Sequence, residues 1–94
     1  MFTGIITAIG KIADIRRSGD WKVTIATPWD CAKIDIGASI ACSGVCLTVI
    51  EHDDNSFVVG VSAETLSRTS LSGWYIGSSI NLERALKVGD ELGG

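Results

Sequence analysis

Histidine and proline each occur once in this chain, cysteine occurs three times, and no run of apolar residues approaches the length of a membrane span. Each shortage removes a class of function. A lone His52 with Cys31, Cys42 and Cys46, none of them in a CxxC pair, does not make a zinc site, and three cysteines support no disulfide framework. The eight basic residues are scattered along the chain and the formal net charge is −3, so the electrostatic footprint of a nucleic-acid binder is missing. The start, Met1-Phe2-Thr3-Gly4-Ile5-Ile6, has neither a positive n-region nor a cleavable apolar segment, which predicts an unprocessed, cytoplasmic protein without a membrane anchor. No P-loop and no GxGxxG is present. His52 adjoins the turn cluster Asp53-Asp54-Asn55 and reads as a loop residue, and Glu51, Asp53 and Asp54 read as a solvated turn rather than a catalytic carboxylate pair.

What is present is short and alternating. The 94 residues, 46% of them hydrophobic, suffice for one core and not for two, so residues 1–94 read as a single domain. Alternation of apolar residues between turn signals predicts strands over 5–15, 21–27 and 56–62, and over 78–84, where Ile80 and Leu82 point inward and Asn81 and Glu83 outward. Gly10 predicts a bulge or bend in the first strand. Pro28 forbids simple continuation of the second, and residues 29–33 suit a helical turn. Residues 62–68 read as a short helix with Ser62 as N-cap and Glu64 in its first turn, leaving unpaired amides at its start for a carbonyl or anion. The predicted fold is all-β: a six-stranded antiparallel Greek-key β-barrel with one or two short helices.

The stretch from Ser39 to Val49 carries the most information. Ser43-Gly44 is a two-residue turn signal between apolar runs, which pairs Ser39 with Thr48, Ile40 with Leu47, Ala41 with Cys46 and Cys42 with Val45. Cross-strand partners share a face, so Ile40, Cys42, Val45, Leu47 and Val49 form an apolar surface. Ser39, Ala41, Cys46 and Thr48 form one of small uncharged groups where Lys or Glu would be usual. The strand at 56–62 repeats this split, with Phe57, Val59 and Val61 on one side and Val58, Gly60 and Ser62 on the other. Such a surface suits an uncharged heterocycle read by hydroxyl and backbone groups. Cys46 taken alone also suits a small buried hydrophobe.

Four segments, in order along nearly the whole chain, resemble the N-terminal half of the riboflavin synthases. They are Met1-Phe2-Thr3-Gly4-Ile5-Ile6, then Gly44-Val45-Cys46-Leu47-Thr48-Val49, then Glu64-Thr65-Leu66-Ser67-Arg68-Thr69-Ser70-Leu71, and Gly77 followed by Asn81-Leu82-Glu83-Arg84-Ala85-Leu86. The resemblance implies the first barrel of a longer two-barrel chain, in keeping with a glycine-rich tail at 85–94 that has no evident core role. It implies a cofactor-free transferase in which two molecules of 6,7-dimethyl-8-ribityllumazine yield riboflavin and 5-amino-6-ribitylamino-pyrimidinedione. The whole enzyme would be a homotrimer with its site between barrels of two subunits. These 94 residues alone would bind lumazine or riboflavin as a homodimer, with little or no activity.

By the same resemblance, ligand contacts fall on Gly4, Ile5 and Ile6, on Cys46, Leu47 and Thr48, and on Gly60, Val61, Ser62, Ala63, Glu64 and Thr65. Phe2, Ser39 and Cys46 are the positions tied to the chemistry. Phe2 could equally be a terminal anchor packed on the barrel. Two other readings stay open: a non-catalytic lumazine or flavin antenna protein, and a barrel used for protein interaction with Trp21, Trp29 and Trp74 as anchors.

Overall fold

The computed structural model describes residues 8–17, 19–29, 31–69 and 73–84. Six strands form in chain order, β1 Ala8–Arg16, β2 Trp21–Ala26, β3 Ser39–Cys42, β4 Val45–His52, β5 Ser56–Val61 and β6 Ser79–Arg84. A 3-10 turn at Cys31–Lys33 follows β2, and one helix, α1 Ala63–Arg68, lies between β5 and β6. All pairings are antiparallel and the sheet closes in the order β1-β2-β5-β4-β3-β6. Strands β3, β4 and β5 follow one another as hairpins and β6 returns beside β3, which is a Greek key. Among the described strands, closure leaves none at a sheet edge.

The inward alternation read from sequence holds on β2, β5 and β6. Val23 and Ile25 of β2, Phe57, Val59 and Val61 of β5, and Ile80 and Leu82 of β6 all point into the core and are almost wholly buried. Trp29 stacks on Phe57 with ring centroids 6.4 Å apart, and Trp21, Trp29 and Trp74 are half-buried against the same core.

Gly10 does not mark a bulge. A Cβ built there would come within 2.8 Å of both Ile25 Cγ2 and Leu82 Cδ1, so the residue is glycine because β2 and β6 side chains press against its backbone. The bulge comes later, between Ile12 and Asp14, and it switches the inward parity from Ile12 to Ile15. A second bulge, between Val49 and Glu51, leaves Ile50 half-buried on the outer surface. Glu51 therefore sits in β4 opposite Val58, not in the turn. The turn itself is built on Asp53, whose carboxylate accepts from the amides of Asn55 and Ser56 and from the Ser56 hydroxyl, each at 3.0 Å. The Asn55 amide, first among these donors, holds the Asp53 carboxyl below its ordinary range.

At the β3–β6 seam the outer surface is closed. Ala41 pairs with Glu83, and each is only 8% exposed, although alternation places both outward. The small uncharged face predicted for the hairpin therefore loses Ala41 and narrows to Ser39, Cys46 and Thr48.

Candidate ligand-binding site

The β3–β4 hairpin forms with the register the turn chemistry dictates: Ser39 opposite Thr48, Ile40 opposite Leu47, Ala41 opposite Cys46 and Cys42 opposite Val45. Ser43 and Gly44 both take positive φ, 50° and 86°, as a type I′ hairpin turn requires. Thr48 in turn pairs with Gly60 of β5. Ser39, Thr48 and Gly60 thus lie in one outward row across three strands, with Cys46 two residues from Thr48 on the same face of β4.

This row is chemically available. Thr48 and Cys46 are exposed and Ser39 is half-buried. Among the described residues, the hydroxyls of Ser39 and Thr48 and the thiol of Cys46 make no hydrogen bond. Gly60 adds space rather than a group. Among the described residues a Cβ there would meet only Ile50, at 3.8 and 4.0 Å.

The two hairpin cysteines occupy opposite sides of the wall. Cys42 is fully buried, its thiol donates to the Ile40 carbonyl at 3.7 Å, and burial first, then the charge of Cys46, pushes its pKa up to about 12. Cys46 is not a core residue. Of the three cysteines it alone is exposed.

A second wall stands beyond Gly60, where β5 runs into α1. Ser62 is the N-cap as expected: its Oγ accepts from the Thr65 amide at 3.2 Å and donates to Thr65 Oγ1 at 3.0 Å. The Leu66 amide bonds to the Ser62 carbonyl at 3.0 Å. Those contacts change the reading of this segment. The Ser62 hydroxyl and the Thr65 amide are committed to the cap, so the amides of Ala63 and Glu64 are the ones that the helix leaves without an internal partner. The Glu64 carboxylate meets Arg68 at 3.0 Å one turn on, both side chains well exposed, an arrangement worth at most a few tenths of a kcal/mol.

Leu47 and Val61, within the predicted contact stretches, send their side chains into the core at 4% and 1% exposure. They face the outer surface with backbone alone. Phe2, Gly4, Ile5 and Ile6 lie outside the described residues. His52 is the last residue of β4, opposite Phe57; from Thr48 it is four residues along an extended strand, about 13 Å. That distance puts no imidazole within reach of Ser39 or Cys46 as a general base. Among the described residues no cluster of three His, Cys, Asp or Glu could hold a metal ion. Sequence reasoning missed Ile50 as the shoulder of the Gly60 hollow; the adjacent apolar pair Val49-Ile50 in an alternating strand was the available signal.

Comparison with known proteins decides the family. The lumazine binding domain family matches residues 3–85. The chain belongs to that family. Among curated relatives, this lumazine-binding domain is 49% identical to a riboflavin synthase of Brucella abortus, the match covering all of this chain and 50% of that protein. It is 44% identical to the riboflavin synthase of Photobacterium phosphoreum and 41% identical to that of Bacillus subtilis, with 44% of each covered. The domain spans about half the length of the curated relatives it matches. All three carry an enzyme's name. No helix among the described residues is long and apolar enough to cross a membrane.

Proposed function

We propose that this lumazine-binding domain is the N-terminal barrel of a cytoplasmic riboflavin synthase, and that it binds 6,7-dimethyl-8-ribityllumazine and riboflavin on the outer face formed by Ser39, Cys46, Thr48 and Gly60. The observation that carries the proposal is that face itself: three small polar groups with no hydrogen bond among the described residues, beside a glycine whose side-chain space is nearly open. By contrast, the hydroxyls of Ser56, Ser62 and Thr65 are tied into a turn and a helix cap.

The arrangement suits chemistry in which the substrate brings its own reactivity. The lumazine has an acidic C7 methyl and an electrophilic C7, so two copies held in register can exchange a four-carbon unit without a cofactor. Positioning alone can lower such a barrier by on the order of 7 kcal/mol. In this reading Thr48 and the amides of Ala63 and Glu64 read the pyrimidinedione edge, and Ser39 and Cys46 stabilise developing negative charge. Phe2, with Gly4, Ile5 and Ile6, would complete the site from the N-terminal segment. One barrel supplies half of a stacked pair. The whole enzyme would bring the second half from another barrel in a homotrimer, and the isolated domain from a second copy in a homodimer, binding with little turnover.

Titration of riboflavin with the domain, followed by flavin fluorescence, tests the binding. Saturable quenching is expected, and its absence at tens of micromolar protein would sink the proposal. Conversion of lumazine to riboflavin by a chain carrying both barrels separates the synthase from an antenna protein.

A further inference from the structure

The outward row that begins at Ser39 does not end at Gly60. Gly60 pairs with Lys22 of β2, and Lys22 pairs with Arg16 of β1. In register order the row reads Ser39, Thr48, Gly60, Lys22, Arg16: two hydroxyls, a gap, then two cations. Sequence distance hides this, because 16, 22, 48 and 60 are brought together by the β1–β2, β2–β5 and β4–β5 pairings.

Two features of the row lack an explanation in the fold. Like charges directly opposite on neighbouring strands are unfavourable, yet Arg16 and Lys22 are cross-strand partners. Arg16 is partly offset by Asp14, whose Oδ2 lies 3.6 Å from Arg16 Nε with both side chains exposed. Lys22 is exposed and has no ion pair among the described residues. Glu51 and Asp14 belong to the next outward row, Glu51, Val58, Thr24, Asp14. Gly60, for its part, is required neither by a positive φ nor by packing among the described residues, in contrast with Gly10. A side chain at 60 would stand between Thr48 and Lys22.

We infer that Lys22, assisted by Arg16, binds the far end of a ligand whose heterocycle lies over Ser39 and Thr48, and that the site favours a side chain ending in a phosphate over one ending in a hydroxyl. This rests on the reading of the Ser39–Thr48 face as the heterocycle surface. Thr48 and Lys22 are two strand spacings apart, about 10 Å, a gap that a ligand side chain crossing the bare backbone of Gly60 and the lysine's four-carbon stem close from opposite sides. Beside Lys22 the surface dips into a depression of about 50 Å³ lined by Arg16, Lys22, Thr24, Glu51 and Val58. One water needs about 10–15 Å³ by this measure, so a phosphoryl group with its waters can settle there.

The test compares riboflavin with riboflavin 5′-phosphate as probes, by fluorescence titration at low salt, in the wild-type domain and in Lys22→Gln and Arg16→Gln. The phosphate ester should bind about five-fold more tightly than riboflavin, a charge-assisted preference that shrinks in molar salt. Lys22→Gln should reduce the ratio to near one, weakening the phosphate ester more than riboflavin, and Arg16→Gln should reduce it partway. Equal affinities in the wild type, or a ratio untouched by Lys22→Gln, overturn this inference and leave the heterocycle face standing. If neither flavin binds, the reading of the face falls and the inference falls with it.

Discussion

The inner and outer surfaces of the same barrel wall use the same residue types to opposite ends. On the inside, Gly10 is pinned between Ile25 and Leu82, and Cys42 is a wholly buried thiol. On the outside, Gly60 has only Ile50 near it among the described residues, and Cys46 is exposed. Hydroxyls divide the same way along the outer surface. Ser62 and Thr65 are locked together in the cap of α1, while Ser39 and Thr48 make no hydrogen bond among the described residues. The lesson is that residue type does not mark a site here; the site lies where such residues are left without a structural task.

The largest expected effect separates the cysteines. The Cys42 thiol stays neutral in the folded state until its pKa of about 12, whereas in the unfolded chain it ionises from its ordinary 9.0. The unfolded state then binds fewer protons across that window, so the thiol's contribution is fully present below pH 9 and is lost as pH rises toward 12. The loss approaches about 1.4 kcal/mol per pH unit and totals on the order of 4 kcal/mol. Urea melts from pH 8 to 11 should show that decline, and Cys42→Ala should flatten it; identical slopes in the two proteins would contradict the burial account.

The glycines come next. Gly10→Ala should lower stability by about 1–3 kcal/mol, since Ile25 and Leu82 must move. Gly60→Ala should leave the denaturation midpoint nearly unchanged, within about 0.5 kcal/mol, or raise it slightly by stiffening the unfolded chain. Riboflavin affinity should nevertheless drop several-fold in Gly60→Ala. Equal destabilisation by the two substitutions would erase the contrast between the surfaces.

Hydroxyl removal gives a smaller and opposite pair of effects. Ser62→Ala deletes the cap of α1 and should cost about 1 kcal/mol of stability. Thr48→Val should spare stability and weaken riboflavin binding by roughly 0.5–1.5 kcal/mol, or about 2- to 12-fold. A Thr48→Val domain that binds normally would favour an interaction barrel over a ligand site.

How much of this was legible in the sequence depended on range. The Ser43-Gly44 turn and the Ser62 cap are local chemistry, and both the hairpin register and the start of α1 follow from a few adjacent residues. Inward sets such as Phe57, Val59 and Val61 follow from alternation. Bulges break that rule, so the parity switch after Ile12 was not readable, and the outward turn of half-buried Ile50 showed only in the adjacent apolar pair Val49-Ile50. Gly10 had a local explanation in a bulge and a non-local one in close packing, and only the pairing of β1 with β2 and β6 separates them. Ala41 and Glu83 were readable as outward but not as covered. The union of Thr48, Gly60 and Lys22 needs the β2–β5 pairing, which joins segments more than thirty residues apart.

The central claim is that the outer face of the hairpin holds the heterocycle. Alkylation of native protein by iodoacetamide near pH 8 reads that face directly, because Cys46 is exposed while Cys31 and Cys42 are buried. The account predicts one rapidly modified thiol, mapped to Cys46, whose rate falls in proportion to riboflavin occupancy and approaches zero at saturation. An alkylation rate at Cys46 that is unchanged at saturating riboflavin would place the ligand elsewhere on the barrel.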